Sequence, residues 1–205
     1  MSAASCCPRC WAPVRPPGLM TSDWHCPDHG PVAPFTRAPL GSVPQVTAHA
    51  RVPLWSPLPL MPGWTLTGLA YAGDERTGAV ATVLALSGPS PLGGPADLLL
   101  VAEEPGVGLG ARMAGLDGLD PGSCTGGAPD AKVEVAGHPT ALWSVVSAPD
   151  RVAFVGEASG VWLYAVLWPP AAELVLLEHL VLHDLRSAAH LAEDLPHGAP
   201  SARLP

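Results

Sequence analysis

Lysine is almost missing from this 205-residue chain: Lys132 is its single example, and the rest of a Lys+Arg total of 10 is arginine. With Asp+Glu at 18, the formal net charge is −8. Affinity for a nucleic-acid backbone comes from many cation–phosphate contacts, and so short a supply of cations cannot form a basic stripe. Nucleic acid is therefore not expected as a partner. Nucleophile and protease signatures are also absent, with no G-x-S-x-G elbow and no H-E-x-x-H pair. There is no Gly-Lys-Ser/Thr either, which a phosphate-cradling loop requires. Uninterrupted apolar runs of membrane length are lacking, because the longest stretch, Gly160 to Leu182, is broken by Pro169, Pro170, Glu173, Glu178 and His179. The opening MSAASCCPRC has no basic stretch followed by an apolar core, so no secretory signal is expected and the expected location is the cytoplasm.

Gly 22 and Pro 26 bring the chain close to low-complexity composition, but 48% hydrophobic residues and seven Trp supply the apolar surface that disordered chains lack. A compact, loop-rich protein follows. Composition separates a Cys/His/Trp-rich start (1–36), a Pro-rich connector (37–62), a body (63–195) and a flexible tail (196–205). In the body, WTLTGLAYAG, GAVATVLALSG, DLLLVAEE, AKVEVAG, TALWSVVSA, RVAFVGEA and GVWLYAVLW are apolar or alternating runs bounded by turn residues, which predicts strands. Their tight spacing favours antiparallel meanders, the last three runs forming one. After Pro169-Pro170 the run AAELVLLEHLVLHDLRSAAHL places Leu174, Leu177, Val181 and Leu185 at helical spacing, so a helix is predicted, although ELVLL also fits a strand. The fold class is α+β: an N-terminal zinc ribbon, then a mainly antiparallel sheet domain with a C-terminal helix.

Four of the five cysteines stand near the N-terminus, and in a reducing compartment that arrangement points to metal before disulfides. CPRC and CPDH give C-x2-C-x15-C-x2-H, so Cys7, Cys10, Cys26 and His29 are the candidate ligands. Each pair can wrap a tight turn, and the interval between them is long enough for a hairpin. Gly30 after His29 permits a positive φ at the exit of the second turn, whereas Trp11 stands where most ribbons carry the equivalent Gly after the first. Cys6 lies one residue too far from Cys10 for the usual turn, and His25 adjoins a residue already pointing at the metal. Four protein ligands leave no coordination position for water or substrate, so one structural Zn2+ is expected and no catalytic or cofactor-binding residue is assigned.

Weaker constellations remain. Gly106-Val107-Gly108-Leu109-Gly110 follows a strand, but its third glycine comes one position early for a dinucleotide fingerprint, and a glycine-permitted turn is the plainer reading. His179 and His183 would share a helix face beside Glu178 and Asp184, without an evident third metal ligand. The segment 117–130 reads as an exposed loop, and its Cys124 as an incidental thiol. The tryptophans fall mostly in strand-like runs and read as core.

Taken together, CPRC, SDWHCPDHGPV, VPLWSPLPLMPGWTLTGLAYAGDERTGAVAT, SGPSPLGGPADLLLVAEEPGVGLGARMAGLDG, AKVEVAGHPTALW and GVWLYAVLWP resemble an actinobacterial family of uncharacterised proteins, over nearly the whole chain. That resemblance implies the same four zinc ligands and brings no activity. The functional expectation is a non-enzymatic protein-binding or regulatory module with another protein as partner and no membrane association. The alternative is a small-ligand-binding protein or enzyme with its site among Glu103, Glu104 and Gly106 to Gly110, with His179 and His183 beside it.

Overall fold

The structure, a computed structural model, describes residues 5–19, 21–124 and 126–205. Its strands are β1 (His25–Cys26), β2 (Gly30–Pro31), β3 (Phe35–Ala38), β4 (Trp55–Pro57), β5 (Thr65–Asp74), β6 (Gly78–Pro89), β7 (Pro95–Glu103), β8 (Ala131–Val135), β9 (His138–Val145), β10 (Val152–Ala158), β11 (Val161–Trp168) and β12 (Val181–Asp184). The helices are α1 (Val43–His49), α2 (Leu109–Ala114) and α3 (Leu185–Glu193), the last kinked at Ala188. Strands β1 and β2 pair by themselves, and the other ten form one sheet in the order β3-β5-β6-β7-β11-β10-β9-β8-β12-β4. Every pairing in it is antiparallel except β12 with β8.

All seven strands expected from the body's apolar runs are present, and β9, β10 and β11 form the expected meander. The central strands are apolar on both sides because both faces of the sheet are covered. One face encloses Leu54, Trp55, Leu84, Leu98, Leu163 and Leu182, with edge strand β4 folding back over β6 and β7 and with α1 packed on α3. The other carries small residues on its outer half, Ala70, Ala72, Ala81 and Ala85, and these leave room for α2, the N-terminal arm and Leu204. Alternation returns only at the periphery, as in β8, where Ala131, Val133 and Val135 are buried and Lys132 is exposed.

Three expectations need correction. The run after Pro169-Pro170 is not one helix: Pro170–Leu177 is a 3₁₀ segment, Val181–Asp184 is strand β12, and only Leu185–Glu193 is helical. Strand β12 has two neighbours, β8 and β4, and backbone pairing with both overrides the local helical period. The segment 37–62 is no simple connector, since it holds the end of β3, α1 and β4, and Leu54, Trp55 and Val52 are core residues. Residues 196–205 are packed instead of frayed. Leu66 N–H donates to the Pro196 carbonyl (2.9 Å), Gly198 N–H to that of Leu66 (2.8 Å) and Ser201 N–H to that of Thr67 (2.8 Å). Leu204 is buried in the second core, and Arg203 bridges Asp97 at 2.8 Å while lying over the Trp168 ring.

Candidate metal centre

The first turn, Cys7 to Trp11, is closed by Trp11 N–H donating to the Cys7 carbonyl (2.9 Å) and Cys7 N–H to that of Ala12 (2.8 Å). Arg9 N–H points at Cys7 Sγ (3.4 Å), the amide-to-sulfur contact of a metal-binding knuckle. The second turn is the β1–β2 hairpin, with Cys26 opposite Gly30. Both turns exit through a positive φ, +68° at Gly30 and +64° at Trp11. For tryptophan this left-handed conformation costs on the order of 1 kcal/mol. Packing holds it: the Trp11 ring meets Phe35 edge-on at 5.2 Å within the second core.

These turns bring Cys7, Cys10, Cys26 and His29 together, their ligand atoms all within 4.8 Å of one another. Cys10 Sγ and Cys26 Sγ are 3.7 Å apart, and His29 Nδ1 lies 3.7 Å from Cys7 Sγ and 3.6 Å from Cys26 Sγ. A tetrahedron with Zn–S near 2.3 Å and Zn–N near 2.0 Å has edges of about 3.5–3.8 Å, so the donor set and spacing are consistent with one zinc ion. Burial pushes the Cys7 thiol up to about 12. At Cys26 burial also raises, but His29, the amides of Asp28 and His29, and Cys7 outweigh it and leave the thiol at about 6. Such a centre divides its protons unequally until a cation arrives, and cation binding would convert all three sulfurs to thiolates. Cys6 is not part of the cluster: its backbone pairs with Phe35 (N···O 3.0 and 2.7 Å), joining the arm to the edge of the sheet.

Further contacts fasten the arm to the body. Arg9 donates to the carbonyls of Gly106 (2.7 Å) and Val107 (3.0 Å), Trp24 Nε1–H donates to Asp74 (3.1 Å), and Arg76 reaches the Ser22 carbonyl and Asp23. Arg9 was not legible as an anchor, because its partners are backbone carbonyls nearly a hundred residues away.

The alternative site divides into separate places. Glu103 is fully buried, and its Oε2 accepts from the amides of Leu109 (2.8 Å) and Gly110 (3.0 Å). The glycine-rich turn is thus filled by the protein's own carboxylate. A Cβ at Gly110 would lie 2.3 Å from the Tyr164 ring, so that glycine exists for helix-on-sheet packing. Glu104 pairs with Arg51 at 3.0 Å. A cavity of about 430 Å³ beside Gly106 is lined by Arg9, Trp24, Arg51, Asp74 and Arg76, and neither His179 nor His183 borders it. His179 meets Glu134 at 3.1 Å on the surface, and His183 stands in β12 opposite Ser56, so the shared helix face does not form. Sequence reasoning missed that Glu103 is buried against the Leu109 and Gly110 amides, because no spacing rule shows which face of a strand will be covered.

Cys/His knuckles clamped onto an α+β sheet define a protein with a candidate metal-binding arm. The chain belongs to a family of unknown function, DUF6758, whose profile matches residues 1–204. No curated protein and no solved structure matches the chain. Among the described residues no helix is long and apolar enough to cross a membrane.

Proposed function

We propose that Cys7, Cys10, Cys26 and His29 hold one structural Zn2+, and that the protein is a cytoplasmic, non-enzymatic protein-binding or regulatory module. The observation that carries this reading is the closure of the cluster: four protein donors within 4.8 Å use every position of a tetrahedral ion. Such an ion builds shape and performs no chemistry. What it shapes is an arm with Leu19 fully exposed beside the Gly18–Thr21 pairing, while its inner side is fixed to β3 and to the Gly106 turn. The acidic surface favours a protein partner over a nucleic acid.

Because Phe35 is a core residue and the Trp11 ring packs against it, the arm is best disabled by a point change at the metal and not by deletion. Full-length protein and Cys10→Ser are crosslinked in native lysate under identical conditions. A partner recovered stoichiometrically with the first and lost with the second is expected. Recovery of no partner by the full-length protein would sink the reading.

A further inference from the structure

The sheet face covered by the N-terminal arm, α2 and the C-terminal segment is left open at one corner. Strand register sets Trp162 opposite Glu157, and Trp143 opposite Val155, the next residue of β10 on the same face. Trp143, Glu157 and Trp162 therefore rise together, the two tryptophans on the order of 12 Å apart at their Cα atoms, from strand spacing and rise. With Pro139, Thr140 and Ala141 they line a cleft of about 460 Å³.

Both indole N–H groups are used by the 117–130 loop, Trp143 donating to the Gly127 carbonyl (3.3 Å) and Trp162 to Asp120 (3.1 Å). What the indoles offer the cleft is aromatic surface. Glu157 is exposed and has no hydrogen bond or ion pair among the described residues. Two electron-rich rings flanking an unpaired carboxylate attract a cation, and a planar guanidinium suits both by stacking and by a forked hydrogen bond. Elsewhere this chain meets the same need internally: Arg151 and Arg203 lie over Trp168 at 4.9 and 5.1 Å, and Arg112 over Trp11 at 6.0 Å. Trp143 and Trp162 have no such cation among the described residues.

We propose that this cleft receives an arginine side chain of a partner protein, its guanidinium between Trp143 and Trp162 and paired to Glu157. The proposal rests on the protein-binding reading above and supplies the chemistry of the partner. The net charge of −8 draws a basic segment toward it. Lys132 stands across Ala141 in the same cross-strand row, and its amine has no carboxylate within 4 Å among the described residues. It is the local competitor, and removing it tightens binding.

The test titrates the isotope-labelled full chain with acetyl-Gly-Arg-Gly-amide, with the citrulline counterpart, and with tetramethylammonium chloride, following indole N–H resonances. The arginine peptide is expected to shift Trp143 and Trp162 selectively. Citrulline in its place, or Glu157→Gln in the protein, should weaken the response roughly tenfold with the rest of the spectrum unchanged. No shift with the arginine peptide, or equal response to citrulline, overturns the proposal. So does tetramethylammonium binding as tightly as the peptide, which would give the cleft to a free organic cation. Should a partner captured by the wild type stay bound to Glu157→Gln, the cleft proposal fails and the protein-binding reading stands. Should the wild type capture nothing, that reading fails, and the peptide titration still decides the chemistry of the cleft.

Discussion

Replacing Glu103 by glutamine should change the stability of the protein in a pH-dependent way. The carboxyl is fully buried; burial lifts it from an ordinary 4.5 to about 7, against the lowering contributions of the Gly110 and Leu109 amides and the Tyr164 hydroxyl, while the charge of Asp120 raises it further. A native-state acid with a raised pKa keeps its proton after the unfolded chain has released it. Stability from this group is therefore full below about 4.5, falls as pH rises toward about 7, and is constant beyond. That interval corresponds to roughly 3 kcal/mol. Glutamine keeps the shape and an acceptor for the two amides but carries no charge at any pH. Cys26, lowered to about 6, titrates in the opposite sense, yet it is the same in both proteins and cancels in the difference. Urea unfolding of both at a series of pH values from about 5 to about 8 should show Glu103→Gln gaining on the wild type by roughly 2–3 kcal/mol across the range. A stability difference independent of pH would refute the assignment of a neutral-pH titration to this buried carboxyl.

Three further outcomes follow from packing. Gly110→Ala should lower stability by about 1–3 kcal/mol in thermal or urea melts, because the new methyl meets the immobile Tyr164 ring at 2.3 Å. Trp11→Gly and Trp11→Ala both lose the contact with Phe35, but glycine relieves the positive φ, so Trp11→Gly should melt higher than Trp11→Ala by an amount worth about 1 kcal/mol; the reverse order would mean the backbone there is unstrained. Leu204→Ala should cost about 2–4 kcal/mol in denaturant unfolding, a penalty no frayed terminus would show, since the side chain is buried and lies where a Cβ on Gly68 would fall.

How far the sequence could be read depended on the range of the interactions. Strands β5 to β11 each carry enough apolar or alternating residues to declare themselves locally, and CPRC and CPDH declare a cluster because ligand chemistry restricts both residue type and spacing. The helix expected after Pro170 failed for the opposite reason. VLHD has a helical neighbourhood, and only the distant strands β4 and β8 make it a strand. The Pro-rich region misled because proline signals loops, yet Pro44 sits in the first turn of α1, where its missing N–H does no harm, and Pro57 lies in β4 at the edge of the sheet. The tail read as flexible, but Leu204 and Arg203 find partners in Gly68, Asp97 and Trp168, none of them near in sequence. Trp143, Glu157 and Trp162 were legible only as separate residues of three strands until register placed them on one face.

The metal decides most. Elemental analysis of purified full-length protein, with X-ray absorption at the zinc edge, should return one zinc per chain with three sulfur neighbours at about 2.3 Å and one nitrogen at about 2.0 Å. Protein that is folded without stoichiometric metal, or whose zinc shows oxygen from solvent in its shell, would contradict a closed structural site built from Cys7, Cys10, Cys26 and His29.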